Sequence, residues 1–378
     1  MIPFNKPFLT GKESQLIEEA MALGRLAGNG TFTQKCHEQL SNEYGLNSSF
    51  LTSSATSALE MAALLVDLQP GDEVILPSFT FVSTATPFAL RGAKLVFADS
   101  RKEHPNVSIN ELERLISNKT KVIVVMHYAG MACEMNEIMK LAERHGIVVI
   151  EDAAHCIGSN FKNRPLGTIG HLAAFSFHET KNISSGQGGL LVVNEKRFLD
   201  RAEMIWDRGT NRKEFNLGKV TSYSWHDHGS NFYPSEITAA FLLAQLEERK
   251  YIEESRKQIW NSYFEGLKSL EAKGYSLPNI EEYQSNNHHI FYLICPSKEK
   301  RDGLIAYLRQ QEILAVFHYS PLHSSAFMQS KGEDIPNLPN ADFFSDHLVR
   351  LPLFVELKDA EFERVIAAVL EFSAIVSD

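Results

Sequence analysis

Short apolar runs alternate with longer amphipathic ones through the first half of the chain. Residues 121–126 (Lys-Val-Ile-Val-Val-Met) are β-branched and apolar with little alternation, which predicts a strand buried on both faces. Residues 147–150 read the same way and deliver Glu151 and Asp152 to the strand's end. Residues 74–76 and 94–98 predict two more strands. Helices are predicted over 58–68, 81–90 and 134–145, the first entered through the cap-rich Ser53-Ser-Ala-Thr-Ser57. Pro70-Gly71-Asp72 predicts a turn. This β-α-β rhythm, from about residue 50 to 200, implies an α/β fold with a mostly parallel sheet between helices. In such sheets ligands sit outside the carboxyl ends of the strands, where Asp152 falls.

Beyond residue 195 the rhythm changes. Residues 195–208 predict a helix, and 235–247 open a helical stretch that runs past Tyr251 towards Leu270. A strand (290–295), a helix (298–311), a short strand (314–317) and a last helix (359–375) follow. Residues 324–345, rich in Ser, Asn, Pro and Gly, predict a surface loop. The pattern divides the chain into a larger unit, 1–248, and a smaller C-terminal α/β unit, 249–378. A length of 378 residues suits two such units better than one core.

A hydrophobic content of 44% and a charged content of 22% are those of an ordinary soluble domain. The net charge of −10 argues against nucleic acid or an anionic membrane as partner, though not against a phosphate held by backbone N–H groups. Cys36, Cys133, Cys156 and Cys295 form no C-x-x-C pair, which predicts free thiols and no metal site. No stretch reaches the roughly eighteen apolar residues of a membrane span, and Met1-Ile-Pro-Phe-Asn-Lys-Pro7 does not read as a signal peptide. The expected location is cytoplasmic.

The chemistry converges on Lys181, in Phe175-Ser-Phe-His-Glu-Thr-Lys181-Asn182, about thirty residues after Glu151-Asp152-Ala-Ala-His155. An acid at a strand end and a lysine after the next strand suit pyridoxal phosphate (PLP). The lysine holds the cofactor's aldehyde, and the acid keeps its pyridine nitrogen protonated. Each residue also has a plainer reading: a solvated lysine, a helix cap at Asp152, a core histidine at His155. With PLP, His155 would reach the phenolic oxygen or pack near the ring. The helix start after Ser53 would offer N–H groups and hydroxyls to the phosphate, with Ser176 adding another. Phe81, preferred over Phe79, would stack on the ring.

These motifs, with Gly71-Asp-Glu-Val-Ile-x-Pro77, His318-Tyr-x-Pro-Leu-His323 and Arg350-Leu-Pro-Leu-Phe354, resemble the DegT-type sugar-nucleotide aminotransferases, a branch of the fold type I PLP enzymes. The resemblance covers nearly the whole chain. It is strongest to members that make dTDP-4-amino-4,6-dideoxygalactose for cell-surface polysaccharide. It implies a PLP-binding unit over 1–248, with Lys181 as the Schiff-base lysine, Asp152 at the pyridine nitrogen, His155 near the phenolic oxygen and Phe81 on the ring. Ala55, Thr56 and Ser176 match phosphate ligands. Asn231 matches an asparagine lent to the neighbouring subunit's phosphate, which implies a homodimer with shared sites. Glutamate as donor and dTDP-4-keto-6-deoxyglucose as acceptor are implied in the same way. A 3-keto or gluco-configured acceptor, or a non-catalytic regulator that binds PLP or an amino sugar, are the alternatives. His318, Tyr319 and His323 are placed either at the sugar-nucleotide site or in core and surface roles. The chain departs from the family pattern at Tyr233, where arginine is usual, and at Gln187, where glutamate is usual.

Overall fold

The computed structural model describes residues 1–332 and 334–375. Its strands are β1 (Ser49–Thr52), β2 (Glu73–Pro77), β3 (Lys94–Ala98), β4 (Thr120–Met126), β5 (Val148–Asp152), β6 (Asn160–Phe161), β7 (Arg164–Pro165), β8 (Leu172–Ser176), β9 (Gly189–Val193), β10 (Tyr292–Ile294), β11 (Val316–Phe317) and β12 (Leu348–Arg350). Seven of them form one sheet in the order β1-β9-β8-β5-β4-β2-β3. Strands β3, β2, β4, β5 and β8 are parallel. Strand β9 runs against β8, and β1 against β9. The α/β fold with a mostly parallel sheet is therefore the one predicted.

The two-residue period of a strand divides its side chains between two cores. Ile123, Val125, Val149, Ala173 and Phe175 enter one apolar layer. Val122, Val124, Ile150, Leu172 and Ala174 enter the other. Removing each such Val or Ile from water contributes about 1.5–3 kcal/mol, which is why β4 reads as an unbroken apolar run. The same alternation sends Glu151 and Asp152 to opposite faces. Because β2, β4, β5 and β8 share a direction, their carboxyl ends open on one edge. That edge receives Thr80 and Phe81 after β2, His127 and Tyr128 after β4, Asp152 from β5 and Ser176 from β8.

A second sheet, β10-β12-β11, lies over a third core that includes Trp260, Tyr263, Phe291, Leu304, Val349 and Val365. Its middle strand ends at Arg350, which pairs with Tyr292 on one side and Val316 on the other.

Several predicted boundaries move. The helix placed at 58–68 is Ala55–Leu65, because Ser54 is the cap and its side chain accepts from the Ser57 N–H. The helix placed at 81–90 is a 3-10 turn, Val82–Thr84, followed by Thr86–Leu90 with Pro87 in its first turn. The stretch from 235 is two helices, Glu236–Glu247 and Arg249–Leu267, broken at Glu248. The loop expected over 324–345 instead carries helices Ala326–Ser330 and Pro339–His347. Leu338, Ala341 and Phe344 anchor the second of these in the core, three apolar positions outnumbered by polar neighbours. All four cysteines are buried and unpaired. Among the described residues no helix is long and apolar enough to cross a membrane.

Candidate active site

One cavity of about 1380 Å³ opens at the carboxyl edge of the large sheet. Ala55, Thr56, Phe81, Asp152, His155, Ser176 and Lys181 all line it. Residues separated by up to 126 positions are thus brought together by strand direction.

Asp152 ends β5 with 6% of its surface exposed. One oxygen accepts the Thr84 hydroxyl at 2.7 Å and the other the Ala154 N–H at 3.2 Å. A hydroxyl pair, Thr80–Thr84 at 2.6 Å, stands behind it. Burial raises the carboxyl above its ordinary range, while the Thr84 and Ala154 bonds and the Lys181 charge oppose the rise. A cation placed against this carboxylate would lower it further, which is the environment a pyridinium nitrogen requires.

Glu151 turns into the opposite layer and does a different job. Its carboxylate, fully buried, accepts N–H bonds from Gly167 (2.8 Å), Ile169 (2.8 Å) and Gly170 (2.5 Å) and meets the His127 Nε2 at 2.9 Å. The Cys133 N–H occupies the His127 Nδ1, so the ring proton sits on Nε2 and is donated to Glu151. This carboxylate ties the loop before β8 to the end of β5. Replacing Glu151 by alanine should cost about 3–5 kcal/mol, because the three N–H groups and His127 lose their acceptor. Urea denaturation measures this, and an unchanged midpoint would refute the tie.

Lys181 follows β8 on a turn closed by its own N–H to the His178 carbonyl at 2.9 Å. Its amine is half-buried in the cavity wall and has no hydrogen-bond or ion-pair partner among the described residues. Burial lowers its pKa to about 8, against an upward pull from Asp152, and Arg350 adds to the lowering. The neighbouring Asn182 is fixed by the Asn287 carbonyl at 2.8 Å and by the His289 Nδ1 at 2.9 Å. That clamp was not foreseen. Its partners lie more than a hundred residues away, with no local motif to mark them.

His155 is held neutral, its pKa driven well down by burial, Lys181 and Arg350. Its Nδ1 accepts the Ala129 N–H at 3.3 Å, which leaves the proton on Nε2, 3.4 Å from the Tyr319 hydroxyl. Ala129 stands at φ 57°, an unusual conformation for alanine that aims this N–H at the histidine.

The start of helix Ala55–Leu65 points at the cavity. Gly189 of β9 lies so close that a Cβ would come within 2.2 Å of the Ser54 carbonyl carbon, so only glycine lets the helix start sit down on the strand. Thr56 also spends its hydroxyl on Ser83 at 2.8 Å. Of the two phenylalanines, Phe79 is 1% exposed in the core, and Phe81 is 56% exposed on the cavity wall, open to a ligand. A half-buried amine without a partner, a buried carboxylate, a helix terminus and an open aromatic around one cavity together fit PLP.

Asn231 is not in this cavity. It is exposed and accepts from Arg208 Nη2 at 2.9 Å. At Tyr233, which stands where the family pattern usually has arginine, the Arg208 guanidinium lies 5.0 Å over the ring. His318 and Tyr319 line the cavity, whereas His323 is buried away from it against the Ser78 hydroxyl at 2.7 Å. Sequence reasoning also passed over Arg256, His289 and Arg350 as cavity residues, and Thr84 as the hydroxyl behind Asp152.

A family model described as the DegT/DnrJ/EryC1/StrS aminotransferase family matches residues 7–370. An uncharacterized protein of Methanocaldococcus jannaschii is 30% identical over 347 residues, 90% of this chain and 89% of its own length. The aminotransferase TlmJ from Streptoalloteichus hindustanus superposes with a TM-score of 0.91 at 25% identity, with 100% of both chains covered. Spr1654 from Streptococcus pneumoniae, assigned as a sugar aminotransferase, has been solved in PLP and PMP forms. The PMP form superposes with a TM-score of 0.92 at 25% identity over 100% of both chains.

Proposed function

The chain belongs to the DegT/DnrJ/EryC1/StrS aminotransferase family, and from that premise we propose that it transfers an amino group from glutamate to a keto-sugar nucleotide. Its cofactor is PLP, the form in which Spr1654 has been solved. The acceptor is dTDP-4-keto-6-deoxyglucose, aminated at carbon 4 to dTDP-4-amino-4,6-dideoxygalactose for cell-surface polysaccharide synthesis. The observation that carries the reading is the unpartnered amine of Lys181, coupled electrostatically to the buried carboxylate of Asp152 within one cavity.

Bound there, PLP supplies an aldehyde for amines and a ring that withdraws electrons from the substrate carbon. Lys181 would hold the aldehyde, and its Nζ would carry the proton taken from the donor's α-carbon and the one delivered to the sugar carbon. Asp152, steadied by Thr84, would keep the ring nitrogen protonated. The N–H groups at Ala55 and Thr56, with the Ser176 hydroxyl, would hold the phosphate. His155, neutral with its proton on Nε2, would donate towards the phenolic oxygen, and Phe81 would cover the ring.

The working form is a homodimer in which Asn231 reaches the neighbouring subunit's phosphate. Asn231 stands outside its own cavity, and the cavity walls at Phe81, Val82, Leu90, Phe317 and Phe327 are all more than half exposed. A second chain would remove that apolar surface from water. The test is incubation of purified enzyme with PLP, glutamate and dTDP-4-keto-6-deoxyglucose, with NMR of the product. A 4-amino galacto product over many turnovers is expected. A 3-amino or gluco product would reassign the acceptor, and no turnover with any keto sugar would leave the regulator reading.

A further inference from the structure

Asn287 and His289 stand just before β10 in a run of four polar residues, Asn286-Asn287-His288-His289, yet both are buried. Buried amides and imidazoles are costly unless bonded, so their partners show what they hold. The Asn287 Nδ2 donates to the His155 carbonyl at 2.7 Å and to the Ile157 carbonyl at 2.9 Å. Its Oδ1 accepts the His289 N–H at 3.2 Å, and its backbone carbonyl accepts the Asn182 Nδ2 at 2.8 Å. A carbonyl only accepts, so the Asn182 nitrogen faces Asn287 and the Asn182 oxygen faces the His289 Nδ1 at 2.9 Å. The His289 proton therefore sits on Nδ1. The bridge is itself held. Arg256 donates to the His288 and His289 carbonyls at 3.2 and 2.6 Å, around a His288 kept at φ 56°. Gly130, at φ 80°, leaves the room Asn287 needs, since a Cβ there would come within 2.3 Å of its Oδ1.

The bridge joins two loops that carry cavity residues. His155 follows β5 and Lys181 follows β8. The last rung between them is the Ala153 N–H to the Ala174 carbonyl, at 2.9 Å. Beyond it, no hydrogen bond runs directly between residues 154–159 and 177–186 among the described residues. Asn287 grips the first loop by two carbonyls, and Asn287 and His289 together grip the second through Asn182. The His155 and His289 rings end 4.7 Å apart. We propose that His289 and Asn287 are positioning residues for the transfer, which register the Lys181 amine against the His155 imidazole so that both meet one bound cofactor. The proposal rests on the aminotransferase reading. Neither residue has to touch a reacting atom. A misplacement of about 1 Å can cost about 100-fold in rate, so loss of this joint should show in turnover more than in affinity.

The test compares the wild type with His289→Phe, which keeps a ring but loses the Nδ1 donor, and with His289→Asn, whose side-chain amide can donate from the same place. In the PLP-loaded enzyme, His289→Phe should lower kcat about 100-fold while the KM values for glutamate and the keto-sugar nucleotide stay within about threefold, and His289→Asn should recover about tenfold of that loss. In the apo protein, nitrogen NMR of isotope-labelled histidines should show His289 protonated on Nδ1, its signals identified by their absence from His289→Phe. Capture of PLP by apo His289→Phe should also slow. Asn182→Ala breaks the same bond from the other side and should lose kcat alike, which keeps the test decisive if His289→Phe does not fold. A kcat within about twofold of the wild type in the folded variant, equal losses in His289→Phe and His289→Asn, or a His289 protonated on Nε2 would each overturn the proposal. A wild-type holoenzyme that turns over no amino donor refutes the aminotransferase reading itself, a distinct outcome, because the tautomer and the capture rate are read without turnover.

Discussion

Lys181→Ala should abolish the covalent link to PLP and lower turnover by about 1,000-fold or more, since one substitution removes both the nucleophile and the proton carrier. The variant should still fold, because the half-buried amine holds no partner whose loss would matter. The wild-type protein adds a pH signature. Burial brings the Lys181 pKa from 10.5 to about 8. At pH 7 about a tenth of the chains carry the free amine, against about 0.03% for an ordinary lysine. Capture of PLP by the apo protein should therefore accelerate with rising pH and level off above about 8. Stopped-flow absorbance measures it. A rate that keeps climbing towards pH 10 would show that the cavity leaves this amine unperturbed.

Asp152→Asn should have the second largest effect, a loss of about 100- to 1,000-fold in turnover together with weaker PLP binding. Asparagine keeps the size and can still accept from Thr84, so the change removes the charge and, besides it, only the weaker bond from the Ala154 N–H. Without that charge a ring nitrogen has nothing to favour its protonated form. The variant also tests the coupling to Lys181. Asp152 pulls the lysine's pKa upward, so in its absence the capture profile should move to lower pH. Equal turnover and an unmoved profile would mean that Asp152 is only the strand's end and not part of the chemistry.

The two acids of Glu151-Asp152 show where reading a chain stops. Both stand at a predicted strand end, and nothing local tells them apart. In the structure the alternation of β5 turns Glu151 to three loop N–H groups and Asp152 to the cavity and Thr84. The pairs Asn182–His289 and Thr84–Asp152 were illegible for a related reason. Each joins positions on separate elements whose approach is decided by packing, not by spacing along the chain. Arg350 was visible only as part of a motif, because its buried and unpaired Nε is a property of the finished cavity.

The amino-acid order alone determined the parallel sheet, since runs such as Val-Ile-Val-Val at 122–125 can bury both faces only with helices on either side. It also determined which residues could supply a reactive amine, a carboxylate and a helix start, because those depend on side-chain type and the nearest few neighbours. Tertiary structure decided which of those groups meet. Strand direction gathered the ends of β2, β4, β5 and β8 on one edge, and β12 brought Arg350 over them from the far end of the chain. Local propensity acts over a turn or a strand, whereas charge, burial and unmet hydrogen bonds depend on what long-range packing places within a few ångströms.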